Sequence, residues 1–191
     1  YKEKDQGFTC GIGISSDEKY YIIGTSDHTT SEVYFFDAKE LNPKPKLFKK
    51  RQKEIKYSVD SWKENFFIHT NLDAEDFKIC VCKQKNIEKW EDYIPAAKGV
   101  LIGGIDLLND WMVRSEIRDA LAKLYVRNLN TNEEEELIIT DEKVISPGVS
   151  LMQKDRKTNK LYVAYNSPKT PGKAYIYDIV SKEKKLVKEE I

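Results

Sequence analysis

Residues 160–179 read KLYVAYNSPKTPGKAYIYDI. Two apolar runs, 161–165 and 174–179, are rich in aromatic and β-branched side chains, and a connection holding Asn166, Ser167, Pro168, Pro171 and Gly172 separates them. That pattern predicts a β-hairpin. Leu161, Val163 and Tyr165 fall on one face of the first strand and Tyr162 and Ala164 on the other, so neither face suits water. The sheet is expected to be covered on both sides.

One hairpin cannot cover itself, and the chain supplies copies. YYIIGTS at 20–26 followed by SEVYFFD at 31–37 has the same form: a strand, a polar bend, and a second strand ending in Asp. FFIHTN at 66–71 followed by FKICVC at 77–82 is another copy, and WMVR at 111–114 followed by LYVRNL at 124–129 a third. Each is preceded by a further strand, starting near Phe8, Tyr57, Val100 and Ile145, and followed by a shorter one, such as Leu47 and Phe48, residues 137–140 or residues 184–187. The starts recur roughly every 45 residues, the period of a four-stranded propeller blade. The expected fold is all-β: a partial β-propeller of four blades, each of four antiparallel strands, filling 1–191 with blades near 5–50, 55–97, 98–141 and 143–190.

Within that frame, residues 8–15 read as an inner strand in which Gly11 and Gly13 let neighbouring backbone come close. Trp90, Ile94 and Pro95 mark an outer edge. Residues 114–121 have helix-compatible composition and are expected to form a longer loop with one helical turn. Residues 130–136, a turn running into four glutamates, read as a solvated connection.

Composition excludes several functions. The 32 basic and 32 acidic residues cancel, so nucleic acid is not an expected partner, and the lysines of 44–56 with Arg51 read as a solvated blade edge. No apolar run approaches the ~20 residues that cross a bilayer, and the first residues resemble no signal peptide. Three cysteines, two of them at 80 and 82 in one strand, suit a reducing cytoplasm better than a disulfide scaffold. The chain opens at Tyr1 without a methionine and is expected to be part of a longer protein.

The residues that could carry chemistry do not assemble into a site. Acyl transfer needs a nucleophile beside a base, yet His28 and His69 are the two imidazoles, both in or near hairpin bends, and no Gly-x-Ser-x-Gly elbow occurs. Cys80 and Cys82, with His69 on the partner strand and Cys10 distant, fall short of a four-ligand zinc set. Asp73 and Asp76 sit in a loop without the glycine and donor spacing of a calcium site. Gly103 and Gly104 lack the following helix and Lys-Ser/Thr of a phosphate cradle and read as a bulge. No catalytic, cofactor-binding or metal-binding residue is expected.

The ordered motifs do resemble a known family. Residues 26–38 (SDHTTSEVYFFDA) are similar to a propeller strand pair of the oligopeptidase B group of the prolyl oligopeptidase family of serine peptidases. FIHTN at 67–71, Trp90 with Ile94 and Pro95, and LYVAYNSPKTP at 161–171 followed by Tyr177 and Asp178 match further motifs of that group in the same order, with Asn166, Lys169 and residues 114–121 departing from it. The resemblance implies four of seven blades of a propeller that caps an α/β-hydrolase domain and restricts access to short peptides. It also implies that nucleophile, acid and base lie in that other domain, and that four blades taken alone either close as an irregular ring or self-associate through exposed terminal blades. A contrasting expectation is a free-standing propeller that presents loops to a protein partner.

Overall fold

The computed structural model describes residues 1–140, 148–152 and 155–190. Its chain divides into two compact units, Tyr1–Lys98 and Gly99–Ile191. Each unit holds two four-stranded antiparallel sheets in which every strand pairs with its neighbour in sequence. The first unit contains β1 (Thr9–Ile14), β2 (Tyr20–Ser26), β3 (Ser31–Asp37) and β4 (Lys46–Lys49), then β5 (Tyr57–Trp62), β6 (Asn65–Thr70), β7 (Lys78–Lys83) and β8 (Asn86–Ile94). The second contains β9 (Val100–Leu108), β10 (Trp111–Arg118), β11 (Leu121–Asn128) and β12 (Glu134–Glu136), then β13 (Gly148–Leu151), β14 (Lys160–Asn166), β15 (Lys173–Asp178) and β16 (Lys184–Glu189). The fourth repeat's start, expected near Ile145 or residue 143, lies outside the described residues; pairing is seen from Gly148.

The turns explain why the repeat contains the residues it does. Glu18, Lys63 and Asn109 occupy equivalent turns between the first two strands of a sheet, each in the left-handed region (φ 59°, 57° and 44°). The third strand ends in Asp37, Asn128 or Asp178 because that side chain accepts amide hydrogens of the turn that follows: Lys39 N at 2.8 Å, Asn130 N at 2.8 Å, and Val180 N and Ser181 N both at 3.0 Å. One backbone bond recurs in all four sheets, joining the residue after strand three to the residue before strand two. It runs from Ala38 N to Lys19 O (2.8 Å), Gln84 N to Glu64 O (3.1 Å), Leu129 N to Asp110 O (2.8 Å) and Ile179 N to Asn159 O (2.9 Å).

Alternation then sorts side chains to faces. In the first unit Val33, Phe35 and Phe48 of one sheet pack on Tyr57, Phe66, Ile68, Cys80 and Cys82 of the other. Phe66, fully buried, meets the rings of Tyr20, Phe35 and Phe48 at centroid distances of 5.1, 5.3 and 5.2 Å. In the second unit Val113, Leu124 and Val126 pack on Leu161, Val163, Tyr165 and Tyr177.

Four expectations need correction. Residues 114–118 are strand and not loop: β10 pairs on both sides as far as Arg118, and Asp119 and Ala120, at φ 51° and 62°, make a two-residue hairpin turn. Double-sided pairing there outweighs helix propensity. The third sheet's outer strand is Glu134–Glu136 instead of 137–140; basic side chains of β10 and β11 neutralise the glutamates, while Leu137 and Ile139 are buried in the core beyond the strand's end. Apart from the adjoining residues of the strand, no described atom stands within 4 Å of where a Cβ on Gly11 or Gly13 would lie, and all six residues of β1 are exposed, so no neighbouring backbone comes close to these glycines among the described residues. The hairpin of 160–179 is fully covered on one face only: Leu161, Val163 and Tyr165 are buried, whereas on the other face Ala164 is half-buried and Tyr162 is 44% exposed.

The bulge at the glycine pair is present. Gly104 lies across from Ser115 and Ile102 from Glu116, which leaves Gly103 as the extra residue.

Candidate functional site

The residues weighed for chemistry stand apart. Ile68 lies opposite Cys80 and His69 opposite Ile79, so His69 points to the face away from both thiols. Its imidazole stacks on Phe77 at 4.5 Å, and Phe77 holds a left-handed backbone (φ 66°) in the loop that carries Asp73. His28 lies in the polar bend between β2 and β3, where Asp27 accepts from Thr29 N and Thr30 N and the His28 carbonyl accepts from Lys56 Nζ at 3.3 Å. All three cysteines are free thiols, Cys10 exposed and the other two buried. Burial pushes the Cys80 thiol up to about 11, helped by its hydrogen bond to Asp92, and burial alone does the same to Cys82. Neither is a ready nucleophile at neutral pH. Among the described residues, no group of three or more His, Cys, Asp or Glu side chains is arranged to hold a metal ion.

What the structure does build is a pair of sheet-to-sheet contacts, each with an apolar centre and polar rims. In the first unit Ser16 donates to the Asp60 carboxylate from its amide (2.8 Å) and its hydroxyl (2.5 Å), Ser61 Oγ donates to Asp17 at 3.0 Å, and Lys19 Nζ reaches the Lys63 carbonyl. At the opposite rim Tyr57 N donates to Ser31 Oγ (2.6 Å), and the Tyr57 hydroxyl lies between Val33 N (2.9 Å) and the Lys49 carbonyl. Burial raises this phenol to about 12. In the second unit Asn109 N donates to Arg156 O (2.9 Å), Asn109 Nδ2 donates to Asn159 Oδ1 (2.6 Å), and Arg156 pairs with Asp106 at 2.6 Å.

Two charged clusters went unread in the sequence. Arg114 and Glu116, both buried, share one face of β10. Arg114 donates to Glu116 (2.7 Å) and through both terminal nitrogens to Glu134 (2.6 and 3.1 Å), with its guanidinium 4.9 Å from the centre of the Tyr125 ring. Burial works against the Arg114 cation, and the two carboxylates more than offset it. In the first unit Arg51 links Glu3 (2.7 Å) and Glu32 (3.0 Å). The signal for the first cluster was available: charged residues at 114 and 116 alternate with Val113, Ser115 and Ile117 inside an otherwise apolar repeat. The second is spread from residue 3 to residue 51 and leaves no local trace.

A cleft of about 380 Å³ opens between the third and fourth sheets, lined among others by Gly103, Ser115, Ile117, Lys123, Val149 and Ser150. Its described lining holds hydroxyls, carboxylates and an amine but neither imidazole nor thiol. The chemistry on offer is shape and hydrogen bonding.

The sixteen strands among the described residues, in four sequential antiparallel sheets with the two sheets of each unit laid face on face, are blades of a propeller. Residues 1–190 match the family described as prolyl oligopeptidase, N-terminal beta-propeller domain. The chain belongs to that family. This prolyl oligopeptidase propeller is similar to dipeptidyl aminopeptidase BI of Pseudoxanthomonas mexicana, 26% identical over 196 residues that take in 100% of this chain and 26% of that protein. It is similar to Protease 2 of Moraxella lacunata, 23% identical over 187 residues, 98% of this chain and 26% of that one. Among solved structures it superposes on oligopeptidase B from Trypanosoma brucei with covalently bound antipain, closed form, with a TM-score of 0.92 and 26% identity across 100% of this chain and 28% of that chain. The propeller chain thus spans about a quarter of the length of the curated relatives it matches. Among the described residues no helix is long and apolar enough to cross a membrane.

Proposed function

We propose that this chain forms part of the substrate-restricting wall of an oligopeptidase B-like serine endopeptidase, four blades near 5–50, 55–97, 98–141 and 143–190, and that it breaks no bonds itself. The observation that carries the reading is agreement along the whole chain with the propeller of that family, in sequence and in fold. Blades packed face to face select by size: the wall is stiff because within each unit the two sheets bury an aromatic or aliphatic row against one another, and passage depends on the space that the wall encloses. The partners are then an α/β-hydrolase domain of the same protein, which supplies nucleophile, acid and base, and the short peptides it cuts. A reducing compartment such as the cytoplasm fits the three free thiols. Taken by itself, a set of four such blades either closes as an irregular ring or associates through its terminal blades.

Incubating the purified chain with a fluorogenic peptide that carries a basic residue tests the non-catalytic role. The expected result is no release above the buffer rate. Release abolished by a serine-directed inhibitor overturns it. Sedimentation tests the expected closure or association, which a stable monomer with an open arc refutes.

A further inference from the structure

The outer strand of the third sheet is made of a residue that strands use little. β12 is three exposed glutamates in a row, Glu134–Glu136, and neither β propensity nor burial accounts for its pairing with β11. Charge does. Alternation sends Glu134 and Glu136 to one face and Glu135 to the other, and each meets a base. Glu134 accepts from both terminal nitrogens of Arg114 (2.6 and 3.1 Å) and lies 3.5 Å from Arg127 Nη1. Glu136 pairs with Lys123 at 2.9 Å. Glu135 turns the other way and pairs with Lys182 of the fourth sheet.

Lys182 is placed for that reach. It closes the turn between β15 and β16 with a left-handed backbone (φ 61°), its amide donating to Asp178 O at 2.8 Å. The equivalent position in the third sheet is Asn132 (φ 64°), whose amide donates to Asn128 O at 2.8 Å, and asparagine tolerates this backbone better than lysine does. What lysine adds is a long cation that spans to the neighbouring sheet. Two residues on, Lys184 Nζ donates to the Ile139 carbonyl at 2.7 Å. Between these two ties Leu137 and Ile139 enter the core, and Leu137 N donates to Leu124 O at 2.8 Å. Residues 134–139 are therefore held by both sheets of the second unit.

We propose that residues 134–139 form an ion-fastened clasp between the third and fourth sheets, which loosens as ionic strength rises while the two sheets stay folded. One exposed ion pair contributes little. Here a whole strand depends on three carboxylates, and salt weakens their pairs together. Opening bares Val126 and Ile179, which with Trp111 line a cleft of about 410 Å³ beside Glu135 and Lys182. The clasp belongs to the second unit alone and stands whether or not the chain restricts peptides.

Amide exchange at Leu137 reads the clasp, and exchange at Val163 of β14 reads unfolding of the unit. Raising sodium chloride from about 0.05 to about 1 M should speed exchange at Leu137 on the order of tenfold without accelerating Val163. Glu135→Lys sets two cations against each other and should speed exchange at Leu137 already at low salt. Adding Lys182→Glu restores opposite charges and should return it toward the wild-type rate. Exchange at Leu137 that ignores salt or Glu135→Lys, that stays fast in the double variant, or that rises only in step with Val163 would overturn the clasp.

Discussion

The Phe66 ring stands 5.3 Å from the Phe35 ring at an interplanar angle of 70°, so the second sheet meets the first through an edge-to-face ring pair. Tyr20 and Phe48 close around the same ring. Truncating Phe66 to Ala should therefore cost about 3–5 kcal/mol in the first unit, whereas Phe66→Leu should cost much less. Urea unfolding followed by fluorescence checks both. A loss near zero for the alanine variant would mean that the two sheets do not depend on each other.

Arg114 is the buried counterpart in the second unit. Glu134→Gln leaves the buried Arg114 cation with one carboxylate fewer, and because Glu134 itself reaches water the expected loss is about 1–2 kcal/mol. Replacing Arg114 by Met together with Glu116 and Glu134 by Leu removes all three charges and should recover part of that loss, because a buried ion cluster owes little net stability to its charges. Denaturant midpoints of the single and triple variants measure the coupling.

Alkaline pH should destabilise the first unit through its buried acids. Cys80 and Cys82, held at about 11 against an ordinary 9.0, and Tyr57, held at about 12 against 10.0, are acids whose neutral forms are favoured by burial. The unfolded chain loses these protons first as pH rises, so their contribution is full below about pH 9 and drains away between about 9 and 12. Thermal melts across that window should fall steadily in midpoint, and Cys82→Ala should flatten the lower part of the fall. At neutral pH a thiol reagent should label Cys10 and spare the two buried cysteines.

Gly103 is a glycine for a reason that can be tested in pairs. A Cβ there would stand 2.9 Å from Ser115 Oγ and 3.8 Å from Ser115 Cβ. Gly103→Ala should destabilise the second unit by about 1–2 kcal/mol through overpacking, and adding Ser115→Ala should restore most of it. Additive losses in the double variant would place the strain elsewhere.

The repeat itself was legible because its signals are local. A run such as 31–37 carries aromatic side chains, alternation and a terminal Asp within one short window, and the structure uses each of these where it stands. The glycine pair at 103 and 104 was legible for the same reason. Ser115 to Arg118 misled because composition alone favours helix there, while β9 and β11, distant from that window, impose strand on it. Glu134–Glu136 misled because a run of like charge becomes a strand only once Arg114 and Lys123, elsewhere in the chain, supply the opposite sign. The tie of Arg51 to Glu3 is longer in sequence still, and nothing at either end foretells it. For the weighed cysteines and histidines, spacing indicated that a metal set was incomplete. It could not tell that His69 and the thiols would occupy opposite faces, which depends on strand register.

The backbone bond shared by Ala38, Gln84, Leu129 and Ile179 fastens each sheet to its own stretch of chain. No strand has to wait for a partner made much later, so a repeat is a self-finished module that can be assembled in order of synthesis. Duplication or loss of a whole module leaves every other pairing untouched, which makes the count of repeats an evolutionary variable and the internal wiring of each one a constant.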